Sequence, residues 1–234
     1  MRDDEINEIL NKAVPAPQSP RPDGLQRVTS SIAASLRPVR PMPADWVLTG
    51  ALVLVCAAVS LAGALRVGLF GFEKMDLVQR GLVFPALGIL LWATARTMVA
   101  EMIPGSRRSV MPGVLVVLSC GGLAGLFASL FRDPGMDQFV SIGIGCLTAG
   151  LLHAIPAALL SWFVVRRGFA LNALSAGLVA GILGGLAGVG MLELHCPNFE
   201  TAHLLVWHLA VVPLSGALGA LVGWLARGLV RAAA

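Results

Sequence analysis

Hydrophobic and polar positions divide the chain into two regimes. Over residues 1–45, polar residues, prolines and isolated apolar residues are mixed. Six long apolar stretches follow, at about 46–65, 81–100, 110–131, 139–165, 171–194 and 204–226. Each is near the ~20 residues that a helix needs to cross roughly 30 Å of hydrocarbon. The runs are continuous rather than alternating, which argues against the strands of a β-barrel. The connections (66–80, 101–109, 132–138, 166–170 and 195–203) are short, so consecutive helices must be antiparallel neighbours. The pattern predicts an all-α membrane protein: a six-transmembrane-helix bundle over residues 46–234, with a short, partly helical tail over residues 1–45.

The tail divides in three. Residues 3–13 place Ile6, Ile9, Leu10 and Ala13 at helical spacing, with acidic residues first and Lys12 late, an order that suits the helix dipole. Residues 14–22 carry four prolines and predict an extended linker. Residues 23–36 open with Asp23 as a candidate N-cap and set Leu25, Val28, Ile32 and Leu36 along one helical face. A tail this short and polar cannot build its own core. Its apolar stripe therefore needs a partner.

Composition strengthens the membrane reading. Hydrophobic residues make up 56% of the chain and charged residues 13%, with a mean hydropathy of +0.81, whereas a soluble domain is about a quarter charged. The net charge of +4 matters less than where the cations sit. With the N-terminus inside, the inner segments hold Arg37, Arg40, Arg107, Arg108, Arg166, Arg167, Arg227 and Arg231; the outer ones hold Arg66, Lys74, Arg80 and Arg132. That bias predicts that both termini are cytoplasmic, and Arg96 can snorkel to the same side. The polar, proline-rich start predicts no cleavable signal peptide, so the apolar run from Trp46 should stay as an anchor.

Glycines recur every fourth residue at Gly177, Gly181 and Gly185, and again at Gly219 and Gly223. Such ridges let membrane helices approach closely, so packing is the expected role. Of the four cysteines, Cys56 and Cys120 sit mid-helix among apolar residues and read as core. Cys146 falls about 10 Å inside the outer end of the fourth stretch at the helical rise. Taken alone it could be a small apolar filler. Cys196 reads as exposed at the outer interface, with His195 before it and Pro197 after it. A disulfide needs Cα atoms within about 7 Å, so bonding the two would require Cys196 to dip inward or the fourth helix to start lower.

His195 and His203 flank the last outer loop, with Glu193 and Glu200 close in sequence. His208 lies inside the sixth stretch and His153 in the middle of the fourth. Cys, His and Glu together can bind a soft or borderline metal such as zinc, although this spacing matches no stereotyped site. No zinc-protease motif, nucleophile elbow or phosphate-binding glycine loop is present, and no enzymatic activity is expected. Pro85, Pro156 and Pro213 could kink the second, fourth and sixth helices. They support the alternative of a small multi-pass transporter or channel, which the scarcity of intramembrane acids opposes.

The block LELHCPNFETAHLLVWH, followed by GALGALVGWLARGLVR, resembles the carboxy-terminal part of the negative regulators of sigma F. These are six-helix membrane anti-sigma factors acting on extracytoplasmic-function (ECF) sigma factors. The family pattern reads here as Cys146, the turn Arg166-Arg167-Gly168, the glycine-rich run Gly177 to Gly190, His195-Cys196-Pro197, and Trp207. The motifs cover about residues 139–231; over 46–138 only helix count and orientation match, and the tail is longer than the family's usual one. The resemblance implies a bacterial inner-membrane protein and makes Cys146 and Cys196 the sensor of an external stress. It also implies that the tail holds an ECF sigma factor on the cytoplasmic side, by a helix-in-groove contact through Leu25, Val28, Ile32 and Leu36. Oxidation or metal binding would then shift the fourth helix against the fifth. No cofactor is implied beyond a regulatory soft metal ion at Cys146 and Cys196, and no direct contact with nucleic acid.

Overall fold

The computed structural model describes Glu8 and residues 22–35, 42–103, 110–132, 138–165 and 172–232. The chain forms two units, residues 1–41 and 42–234. In the first, helix α1 spans Pro22–Ser35, where the spacing predicts a helix. Leu25 lies within it, and Val28 and Ile32 are 58% and 55% exposed. Leu36, the linker before Pro22 and all of the first predicted tail helix except Glu8 fall outside the described residues.

The second unit contains α2 (Asp45–Val67), α3 (Phe70–Lys74), α4 (Leu77–Met102), α5 (Pro112–Leu130), α6 (Phe139–Val165) and α7 (Ala173–His195). A short α8 (Thr201–His203) then runs through a π-helical turn, Leu204–His208, into α9 (Leu209–Ala232). No strand occurs among the described residues. Six spans are long and apolar enough to cross a membrane: α2, α4, α5, α6, α7 and the stretch Thr201–Arg227. Pro85, Pro156 and Pro213 lie inside α4, α6 and α9, which continue past them.

The connection between the first two spans differs from the sequence pattern. The second span begins at Leu77, because Asp76 and Gln79 form a reciprocal capping box at 2.8 and 3.0 Å. The connection before it holds α3, which follows a turn at Gly68 (φ 108°) that only glycine adopts without strain.

Helix α7 is the centre of the bundle. Residues 181–189 are buried on every side, as expected of a helix apolar all round. Gly177, Gly181 and Gly185 face α9, where a Cβ would strike Gly219 O, Ser215 O and Val212 Cα respectively. Gly184 and Gly188 face α6, meeting Ala154 O and Gly150 O. Where lipid replaces water, backbone contact of this kind is the main source of helix association. From α2, the Ser60 hydroxyl reaches Ala187 O at 2.7 Å. Cys56 is fully buried in this core and Cys120 is partly buried against it.

Candidate thiol–histidine centre

The last two spans meet in a turn that follows from local chemistry. Pro197 cannot continue α7, so the helix closes at His195 and the Cys196 N–H caps it on Leu192 O at 2.7 Å. The chain then runs without regular structure to Thr201. The expectation that Cys196 lies exposed at the interface is overturned: it is 3% exposed. Helix α6 begins at Phe139, as the sequence predicts, so it is Cys196 that dips inward. Its Sγ lies 3.5 Å from Cys146 Sγ, and both are free thiols.

The connection between α2 and α4 covers this turn. A Cβ on Gly71 of α3 would lie 2.6 Å from Glu193 O and 2.7 Å from Cys196 O, so α3 rests directly on the backbone there. His195 turns toward that cover: its Nδ1–H donates to Gly68 O at 3.0 Å, and its ring centroid lies 5.9 Å from that of Phe70. His195 therefore does not join the thiols.

His203 does. Its Nε2 lies 3.7 Å from Cys196 Sγ, and its ring is fully buried. His208 joins it through the π turn. On an α-helix, residues five apart point about 140° away from each other, but a π turn has more residues per turn and brings them back to one face. The two imidazoles meet edge to face, 5.1 Å between centroids. Cys146, Cys196, His203 and His208 each offer a ligand atom within 4.8 Å of the others. Trp207, inside the same turn, packs its indole on Gly143 of α6, one helical turn from Cys146, and tilts against Phe139 at 5.6 Å.

Glu193 stands behind His208. The His208 Nδ1–H donates to Glu193 Oε1 at 2.7 Å, with both side chains at 0% exposure. Glu200 is partly buried, and its carboxylate is not among the gathered ligand atoms. Hydrogen bonding to Cys146, then burial, holds the Cys196 thiol above its ordinary range, against the opposing pull of His203 and His208. Elsewhere, His153 donates Nδ1–H to Ala149 O at 2.8 Å within α6.

Of the residues singled out from sequence, Cys146, Cys196 and His203 meet directly and Glu193 joins through His208. His208 itself was not among the predicted site residues. Its only sequence signal is the His203–His208 spacing, which points the wrong way unless the π turn is known.

Six apolar helices make this a multi-pass membrane protein, with two thiols and two imidazoles clustered where α6, α7 and the π turn meet. The chain belongs to the family of negative regulators of sigma F, whose family model matches residues 32–227. The match takes in the first three spans, where the motifs alone were silent. This is a family of regulators rather than enzymes, and its description carries a sigma factor as partner. No curated protein and no solved structure matches the chain.

Proposed function

We propose that this protein is an anti-sigma factor of the bacterial inner membrane that holds an ECF sigma factor with its cytoplasmic tail and releases it when an envelope stress changes the Cys146–Cys196 pair. The observation that carries the reading is the 3.5 Å contact between two free thiols from separate spans, in a chain of a sigma-regulator family. Chemistry at either sulfur acts on α6 and α7 together, since Cys146 belongs to one and Cys196 caps the other. Arginine bias favours cytoplasmic termini and so sets the tail on the side of transcription. The exposed Val28 and Ile32 of α1 suit a groove on a helical partner.

Moving a two-state system from 1:99 to 99:1 takes about 5.5 kcal/mol of differential binding. A metal held by thiolates and imidazoles can supply that, and a disulfide, worth up to about 5 kcal/mol, supplies most of it. Arg166 and Arg167, in the inner connection between α6 and α7, are where such a movement would reach the tail side.

The test uses full-length protein in lipid nanodiscs and a panel of ECF sigma factors. Val28→Asp and Ile32→Asp each should weaken binding about tenfold, the loss expected for an apolar side chain of this size. Unchanged affinity of the double variant would remove the tail stripe from the interface. A Cys146→Ser, Cys196→Ser chain should keep its sigma factor under oxidant or metal; release from that chain would end the sensor reading.

A further inference from the structure

The segment from α7 into the π turn carries more buried polar chemistry than a pair of thiols requires. Glu193 Oε2, Glu200 Oε2, His203 Nδ1 and Trp207 Nε1 are all buried without a hydrogen-bond partner, and His208, held by Glu193 through Nδ1, also interacts with the Cys196 thiol. Burying an imidazole or carboxylate atom unpaired is costly. A disulfide between Cys146 and Cys196 would itself bond neither histidine. The four ligand atoms lie within 4.8 Å of one another, and two of their separations match the edges of a four-ligand centre. Tetrahedral bonds of about 2.3 Å to sulfur and about 2.0–2.1 Å to nitrogen imply S···S edges of roughly 3.8 Å and S···N edges of roughly 3.6 Å. The corresponding separations are 3.5 Å between the thiols and 3.7 Å from Cys196 Sγ to His203 Nε2.

We propose that Glu193 is a positioning residue: by holding the Nδ1 proton of His208, it presents that imidazole through Nε2 as the fourth ligand of a Cys146/Cys196/His203/His208 centre for a divalent, zinc-like ion. The inference rests on reading Cys146 and Cys196 as the sensor pair, and it names the ligand of that pair. Nδ1 is committed to the carboxylate at 2.7 Å, so Nε2 is the nitrogen left to bind. A carboxylate behind a metal-bound histidine fixes its tautomer and makes it a better donor. Charge selects the ion. Two thiolates and the Glu193 carboxylate sum to −3, which a divalent cation brings to −1 and a monovalent one only to −2. In so buried a site the larger residual charge is the more costly.

Cobalt(II) is the probe, added to the purified full-length protein in nanodiscs under reducing conditions. Wild type should develop the intense visible bands of a four-coordinate cobalt site together with sulfur-to-metal charge transfer, and zinc should bleach both. Glu193→Gln should weaken cobalt binding about 10–100-fold, the usual effect of losing such a partner. His208→Ala should lose the four-coordinate bands and regain them with added imidazole. A Glu193→Gln protein titrating like wild type would overturn the positioning role. Wild-type bands in His208→Ala without imidazole would overturn the ligand set. If Glu193→Gln does not elute as folded protein, the His208→Ala and imidazole series decides the question alone. Wild type that gives no bands while its thiols oxidise reversibly would overturn this inference and leave a redox sensor standing. Bands without release of a bound sigma factor would do the reverse.

Discussion

His195 and His208 show how poorly adjacency in sequence reports contact. His195 is bonded covalently to Cys196, yet residues one apart at a helix end point in different directions, and its ring goes to Gly68 and Phe70. His208 reaches the thiol cluster from another span. The two should separate experimentally. His195→Ala removes one hydrogen bond and one ring contact from the cover over the turn. It should cost about 1 kcal/mol, read as a lower unfolding temperature in nanodiscs, with the cobalt spectrum unchanged. An altered spectrum would place His195 in the centre after all. Cysteine shows the same dependence on surroundings: Cys56 sits in the core against Ser161 Oγ at 3.9 Å, while Cys146 faces a second thiol.

Among the elements, α7 and the π turn carry most of the design. The glycine period of α7 was legible because close approach needs an absent side chain, and absence is visible in a sequence. What the period could not tell was that two such rows exist, Gly177/Gly181/Gly185 toward α9 and Gly184/Gly188 toward α6. The π turn was not legible at all, since nothing in LLVWH departs from an ordinary apolar helix. Its role predicts an asymmetric response to changes in length. Deleting the exposed Val206 would leave an α turn with the two histidines four apart, which share a face, so cobalt binding should survive. Inserting an alanine at the same place sets them six apart, about 240° around the helix, and binding should vanish. Loss in the deletion, or retention in the insertion, would show that the π turn does not align the pair.

For the whole molecule, the sidedness of the bundle decides what the centre can sense. With both termini inside, a fluorescent protein fused after Ala234 should fluoresce, and alkaline phosphatase inserted at Leu77 should be active; the opposite pattern would put the thiols on the tail's own side. Six spans and the glycine contacts were readable from the residues in order, while the thiol pair was nominated through the family resemblance. The first two rest on local properties: a run of about 20 apolar residues must cross a bilayer wherever its neighbours lie, and a missing side chain permits close packing in any context. The burial of Cys196, the α3 cover over its turn and the entry of His208 were settled only by tertiary structure. They depend on how α3, α6, α7 and the π turn stack at one end of the bundle. A ligand set drawn from separate elements has no spacing of its own along the chain, so sequence could nominate its thiols but not complete it.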